Sequence, residues 1–302
     1  MRKIFLLILL ILFTSEVFSQ ANLLNAKNPS EIGDTSSSEA ITEFVDYEYV
    51  DDKNILWSKV VYEFIDLNER LNFPLLFPVN DTKYDDTRKS LWRVIRENIE
   101  NGKISEVYDS NNDNFTEASR IIGKDSTDLE AKVFKNYNIS DIYKSKYVPE
   151  SFVPREVASS ADIFGYVIKG VWYFDKIHAE LRYRLLAIQP YGKDLKTSVD
   201  GEETETGYFW IWYPSIREIL DDHLVFNDKN NNNRISFDEL LINRRFSSYI
   251  YKYDNVYGDR EIRDYIRQRD NESYAQWQTR IVMESERIKK EILDFEIDMW
   301  GY

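Results

Sequence analysis

One polar stretch near the three-quarter point of the chain has the residue types of a calcium loop. Residues 226–246 read FNDKNNNNRISFDELLINRRF, with oxygen-bearing side chains at Asp228, Asn230, Asn232 and Glu239. Calcium prefers oxygen ligands at alternate positions of a loop between two helices, closed by a Glu at the twelfth position. The stretch therefore raises the hypothesis of a calcium-dependent binding module.

A metal is not needed to explain this stretch. The sixth position, where such loops ordinarily have Gly, is Asn233, and Asp228 and Glu239 are the only carboxylates at side-chain ligand positions. Ser236 followed by Glu239 also matches a capping box, which predicts a helix that begins at Phe237. We favour a turn between two helices, and the calcium site stays open as the alternative.

The chain has few of the residues that nucleophilic catalysis, zinc binding or phosphate binding requires. It contains no Cys, its two His residues are His178 and His223, and its ten Gly residues form no GxGxxG or GxxxxGK loop. A His-activated nucleophile and a His/Cys zinc site therefore lack their residues. Paired carboxylates among the 53 acidic residues keep a hydrolase open, although none stands in a recognisable motif. We expect no enzymatic activity and no cofactor.

The first residues predict export. Arg2 and Lys3 precede an apolar run of ten residues, 4–13, and Ser19 supplies a small residue before Gln20. These are the parts of a signal peptide over residues 1–19, because the apolar run is too short to span a bilayer. Residues 20–42 are poor in large apolar groups and predict a flexible leader. We expect residues 43–302 to form the folded part.

The charge of the chain restricts its partners. The net charge is −14, and removal of the signal peptide leaves −15. Such a surface repels phosphate backbones and anionic lipids, so nucleic acid is not an expected partner. It suits a basic protein or divalent cations, or simply keeps the protein soluble.

Apolar periodicity predicts mostly helix before residue 160. Leu56, Val60, Phe64, Leu67 and Leu71 recur at intervals of three and four and favour a helix, although the β-branched and aromatic content makes a strand the competing interpretation. A second helix is expected over residues 87–101 with Gly102 as its stop, then a strand over 103–108 and a helix over 127–135. The polar stretch 136–160 is the candidate for a domain boundary.

The middle of the chain predicts an antiparallel sheet. Residues 163–174 are rich in β-branched and aromatic side chains, residues 179–187 alternate between apolar and charged, and residues 208–213 read YFWIWY. Three consecutive strands without intervening helices predict a meander. In YFWIWY both faces are apolar or aromatic, so both should be covered. Trp210 and Trp212 are therefore candidates for the core or for a partner interface.

The last third predicts helices. Ser215 with Glu218 matches a capping box, and a long helix is expected over residues 272–300, supported by a Glu286–Lys290 pair. Its apolar stripe is expected to consist of Tyr274, Trp277, Ile281, Ile288, Ile292, Phe295 and Met299. The predicted fold class is α+β, with a central antiparallel sheet packed with helices and a long C-terminal amphipathic helix.

Five blocks of sequence resemble the GldN/PorN family of the type IX secretion and gliding motility machinery. The first is WSKVVYEFIDLNERLNFPLLFPV (57–79). The others are WYFDKIHAELRYRLLAIQP (172–190), FWIWYPSIREIL (209–220), SFDELLINRRFSSYIYKYDNVYGDREIRDYI (236–266) and ESERIKKEILDFEIDMWGY (284–302). They cover most of the mature chain in order.

The resemblance implies a structural protein of the periplasm. Members of this family are expected to assemble with a GldK/PorK-type lipoprotein into a homo- and hetero-oligomeric ring beneath the outer membrane, and to meet the periplasmic region of a GldM/PorM-type protein. The resemblance implies no catalytic residues, no cofactor and no direct membrane span. It therefore favours assembly over calcium binding as the function of the chain.

Overall fold

The computed structural model describes residues 44–81, 88–122, 158–194, 204–225 and 235–300. The predicted signal peptide, the leader, the helix over 127–135 and most of the 136–160 boundary lie outside these residues. Asp228, Asn230 and Asn232 of the candidate calcium loop lie outside them as well.

Eight strands of the described residues form one antiparallel sheet. They are β1 (Ile55–Asp66), β2 (Glu106–Asp109), β3 (Arg120–Ile122), β4 (Ile163–Asp175), β5 (Glu180–Lys193), β6 (Glu205–Gly207), β7 (Phe209–Trp212) and β8 (Tyr249–Tyr253). Their order is β3-β2-β7-β5-β4-β1-β8, and β6 pairs with β5. Because β4, β5 and β7 are neighbours in this order, the predicted meander is confirmed.

Six α-helices accompany the sheet in the part of the chain that the structure describes. They are α1 (Phe73–Leu76), α2 (Leu91–Glu100), α3 (Arg217–Asp221), α4 (Phe237–Ile242), α5 (Ile262–Tyr265) and α6 (Tyr274–Trp300). Helix α2 begins where the Ser90 side chain accepts a hydrogen bond from the Arg93 N–H, and it is followed by Gly102 with a φ of 73°. The α+β fold class is confirmed.

The helix predicted over Leu56–Leu71 is wrong, and the competing interpretation as a strand is right. β1 pairs with β4 on one side and with β8 on the other. Val61 and Ile65 are fully buried on one face of this strand, and Tyr62 is 6% exposed on the other. A strand covered on both faces loses the alternation that would have identified it.

The two faces of the sheet are covered differently. On one face, which we name the helix face, Ile65 packs with residues of α2 and α4, and Val61 packs with Ile288 and Ile292 of α6. On the other, which we name the aromatic face, the buried residues are Tyr62, Val167, Ala187 and Trp210. Partly buried rings pack around them, among them Phe64, Tyr108, Phe115, Tyr191 and Tyr251.

Helix α6 covers the outer edge of β8. The Ser285 hydroxyl, which is fully buried, accepts a hydrogen bond of 2.8 Å from the Ile250 N–H, and Lys289 Nζ donates to the Ser248 carbonyl over 2.7 Å. These two bonds occupy part of the outward edge that would otherwise be open to another strand. The predicted stripe of α6 otherwise packs inward, but Tyr274 is 62% exposed.

Three local predictions are wrong. Ser215 caps no helix, because it lies in a 3-10 turn with Pro214 and its hydroxyl donates to the Trp212 carbonyl. Glu286 pairs with Lys289 and not with Lys290. The alternation predicted over residues 179–187 does not hold to its end. Leu185 belongs to the helix face and Ala187 to the aromatic face, because the register of β5 with β4 shifts between them.

Candidate interaction surfaces

The described end of the candidate calcium loop is a helix start. The Ser236 hydroxyl accepts a hydrogen bond of 3.0 Å from the Glu239 N–H, and α4 begins at Phe237 as predicted. The Glu239 carboxylate lies 3.2 Å from the Arg245 guanidinium, so this carboxylate already has a cationic partner. Among the described residues, no group of three or more His, Asp or Glu could hold a metal ion.

The aromatic strand YFWIWY is buried mainly within this chain. Trp210 is 3% exposed, and its ring contacts Tyr62 at 6.5 Å and Phe115 at 6.1 Å between centroids. Trp212 is half-buried and contacts the same Phe115 at 5.2 Å. Tyr208, at the start of the same stretch, packs on Trp92 of α2 at 5.5 Å between ring centroids. The shared ring of Phe115, on the loop between β2 and β3, thus joins the two tryptophans.

Two lysines lie among the rings of the aromatic face. Lys169 Nζ and Lys252 Nζ stand 5.1 and 4.4 Å from the centre of the Tyr62 ring. Burial lowers the pKa of Lys169, although the nearby Asp113 opposes this shift. Burial would raise the pKa of Asp113, but the hydrogen bonds from Lys252 and Tyr62, together with the charges of Lys252 and Lys169, outweigh burial and the pKa is lowered. The cluster therefore holds its charges paired inside an aromatic setting.

A cleft of about 800 Å³ opens beside these residues. Tyr191, Tyr249 and Tyr251 contribute rings to its lining, and burial raises the pKa of each of their hydroxyls. Its charged lining consists of four acidic residues, Asp66, Asp113, Glu205 and Glu261, and two basic residues, Lys252 and Arg263. Rings and carboxylates together can bind a positively charged group. The sequence did not reveal this cleft, because its residues come from distant strands and loops.

Helix α6 has a second apolar stripe that faces solvent. Val282, Met283, Leu293 and Ile297 are between 49% and 66% exposed. At 100° per residue they fall on one side of the helix, away from Ser285, Ile288 and Ile292. The charged Glu286 and Lys290 lie on the same side of the helix and separate Val282 and Met283 from Leu293 and Ile297. Each exposed apolar pair is a candidate surface for a partner.

Residues 44–50, which we name the arm, run over three arginines of the body. The Arg217 guanidinium stacks on the Tyr47 ring at 4.1 Å and donates to the Val45 carbonyl over 2.8 Å. It also forms a two-pronged ion pair with Asp238, at 3.2 and 3.0 Å. This ion pair is buried, and despite the burial of Arg217 its hydrogen bonds to Asp238 raise the pKa of the guanidinium.

The two histidines have structural surroundings. His178 Nδ1 lies 2.8 Å from Asp175 in the turn between β4 and β5. His223 follows α3 in the chain, and its Nε2 lies 3.5 Å from the side-chain Nδ2 of Asn98 in α2. Burial lowers the pKa of His223, and Lys89 lowers it further.

None of the described helices is long and apolar enough to cross a membrane.

A comparison with curated proteins found no match. A comparison with protein families found one whose sequence pattern matches residues 50–301, described as gliding motility associated protein GldN. The match includes every strand and every helix described above. The chain therefore belongs to the GldN family of gliding motility associated proteins.

Proposed function

We propose that this protein is a structural component of a periplasmic complex for protein secretion and gliding motility, and that it forms a ring with an outer-membrane lipoprotein. The observation that supports this proposal is the family match over residues 50–301. The partners follow from the resemblance of the sequence blocks to the GldN/PorN proteins. They are a GldK/PorK-type lipoprotein and the periplasmic region of a GldM/PorM-type protein. The lipoprotein, and not a helix of this chain, would hold it at the inner face of the outer membrane.

The surface that a partner would cover is the solvent-facing stripe of α6. Leu293 and Ile297 are 51% and 66% exposed and stand one helical turn apart. Burial of such side chains against another protein removes apolar surface from water, which is the main favourable term in association. Exposed Leu293 and Ile297 would therefore favour the binding of a partner protein at this surface.

A pull-down from envelope extracts tests this proposal. The mature tagged protein is expected to retain a lipoprotein, identified by mass. Leu293→Glu combined with Ile297→Glu should abolish its retention, whereas Asp298→Lys, at an exposed position of the same helix, should not. Circular dichroism must show that both variants are folded. Loss of the gene should stop gliding and secretion, and the double variant should fail to restore them.

Two results would contradict the proposal. One is a protein that retains no envelope component under conditions in which it is folded. The other is a deletion strain that still glides and still secretes its proteins. Retention of the lipoprotein by the double variant would show only that the partner covers a different surface.

A further inference from the structure

The arm is held to the body by side chains. Arg217 and Arg184 donate to the carbonyls of Val45 and Glu48 over 2.8 and 2.5 Å, and the Tyr47 hydroxyl donates to the Leu185 carbonyl over 3.1 Å. These bonds join an extended segment to one site, which is centred on the guanidinium groups of the body.

We name this site the arginine groove and define it by Arg182, Arg184 and Arg217. Arg184 and Arg217 both stack on the ring of Tyr47, at 4.9 and 4.1 Å, and Arg217 also faces the Phe44 ring at 5.0 Å. Arg182 lies 2.8 Å from the Glu48 carboxylate. Arginine is suited to this task because its planar group stacks on rings while its N–H groups bond at the edges.

The groove presents three guanidinium groups to the arm. Arg217 also pairs with Asp238, and Arg182 with Glu180 and Asp175, so these groups offer stacking surfaces and N–H donors and little net positive charge. The arm supplies what they recognise: two stacked rings, a carboxylate and two carbonyl oxygens. The groove therefore fits an aromatic and acidic segment with the sequence of the arm, FVDYE at residues 44–48.

A short hinge links the arm to the sheet. The Asp51 side chain caps a 3-10 helix, Asp52–Asn54, which leads directly into β1. Within the docked arm, Val45 and Tyr49 remain 72% and 87% exposed. The Asn54 carbonyl accepts a hydrogen bond from the Lys176 N–H over 2.9 Å, so the arm can leave the groove by rotation around residue 50 without breaking the bonds of the 3-10 helix or of β1. Its own contacts leave two large apolar side chains uncovered.

We propose that the arginine groove is a docking site for the arm of a second copy of this chain, so that neighbouring copies exchange arms. The contacts are the same whether the arm belongs to its own chain or to a neighbour. Exchange of identical elements therefore preserves these contacts, and its cost is that of bringing two chains together. A high local concentration of copies favours the exchanged form. This inference goes beyond the proposed function and does not require the lipoprotein.

Cross-linking between two differently substituted chains tests the exchange. The natural chain has no Cys, so Glu48→Cys in the arm and Arg182→Cys in the groove each introduce the only thiol. The two mature variants are mixed at high concentration, and a short bis-maleimide is added. Exchange predicts a covalent dimer that joins positions 48 and 182, identified by peptide mass, and its yield should rise with protein concentration.

Controls make the outcome specific. Mixing the Glu48→Cys variant with a Glu117→Cys variant, whose thiol lies on the exposed loop before β3, should give no dimer above background. Adding Tyr47→Ala to the arm variant removes the ring that stacks on Arg184 and Arg217. It should lower the dimer yield about tenfold if the groove recognises this ring. The Tyr47 substitution leaves the buried Arg217–Asp238 pair in place, so the body should stay folded.

The doubly substituted chain, Glu48→Cys with Arg182→Cys, separates the alternatives. If it cross-links within one chain while the mixture of single variants gives no dimer, the arm stays on its own body and the proposal is wrong. If neither preparation cross-links, the arm does not occupy the groove and the proposal fails as well. Equal dimer yields from the position 117 control would overturn it too. Retention of the lipoprotein in pull-downs is a separate measurement, so failure of exchange leaves the proposed function untouched.

Discussion

Trp210→Ala should destabilise the isolated protein strongly. Trp210 is 3% exposed in the centre of the aromatic face, between Tyr62 and Phe115. Truncation of a buried Trp removes its burial and leaves a cavity, at a cost of about 3–5 kcal/mol. Because a domain is ordinarily stable by about 5–15 kcal/mol, this single change should remove a large fraction of the free energy of unfolding.

Trp212→Ala is the matched control. The two residues lie on the same face of β7 and contact the same Phe115 ring, but Trp212 is only half-buried. Less surface returns to water when it is truncated, so we expect a loss of about 1–2 kcal/mol. The difference between the two variants thus isolates burial, since residue type and strand are the same.

Guanidinium chloride unfolding measures both losses. Far-ultraviolet circular dichroism should be the signal, because fluorescence would lose one of its seven tryptophan reporters. The midpoint should fall and the slope should stay constant, which shows that stability and not compactness has changed. A loss below about 1 kcal/mol for Trp210→Ala, or a larger loss for Trp212→Ala, would refute the burial of Trp210 within the single chain.

The remaining predictions concern four other positions. Ser236→Ala should cost about 1 kcal/mol in denaturant experiments through loss of the α4 cap, and an unchanged midpoint would contradict the cap. Ser285→Ala should cost about 1–3 kcal/mol, because the Ile250 N–H at the edge of β8 loses its acceptor; faster hydrogen exchange of that amide would identify the cause. Calorimetry with calcium should show no binding, and a Kd below about 10⁻⁴ M that Glu239→Gln abolishes would reverse this. Burial lowers the pKa of His223 in the folded state, so the unfolded chain takes up the proton first and stability should fall as the pH drops below the ordinary histidine pKa of 6.5. His223→Asn should reduce that fall, and an unchanged pH profile would refute the shift.

The meander could be predicted from the sequence, whereas β1 could not be predicted with certainty. Strands β4, β5 and β7 are neighbours in the sheet in the same order as in the sequence, and no described helix separates them; the short strand β6, between β5 and β7 in sequence, pairs with β5. β1 lies between β4 and the distant β8, and both of its faces are covered. Its apolar residues therefore recur at intervals that mimic a helix, and only pairing partners far along the chain decide the matter.

Errors at single residues have a different cause. Ser215 and Glu218 match the residue types of a capping box. Pro214, however, places Ser215 in a 3-10 turn, where its hydroxyl donates a hydrogen bond to the Trp212 carbonyl. Ser236 has the same pattern and does cap its helix, because Ser236 itself has an extended backbone conformation, with φ of −74° and ψ of 162°. A four-letter pattern shows which bonds are available, and the backbone conformation of the Ser determines which of them forms.

Burial of charge was the least predictable feature of the chain. Arg244 bonds to Glu63, which is 1% exposed, and its guanidinium lies over the rings of Tyr183 and Trp172 at 4.2 and 5.3 Å. In sequence, a single charged residue predicts a surface position, since isolated charges are costly to bury. Aromatic residues make up 15% of the chain, and some of them enclose guanidinium groups, as at Arg217 and Arg244.

Arg244 and Arg217 differ in what encloses their guanidinium groups, and this difference carries a functional consequence. Around Arg244, rings of the central strands β4 and β5 supply the stacking surface, so this arrangement cannot be dismantled without unfolding the sheet. Around Arg217, the stacking rings are Phe44 and Tyr47 of the arm, which lie outside the sheet and end at a hinge. The same chemistry is therefore permanent at one site and exchangeable at the other. A lysine would fail at both, since it cannot stack flat on a ring, and at Arg217 it also could not bond the Asp238 carboxylate with two prongs.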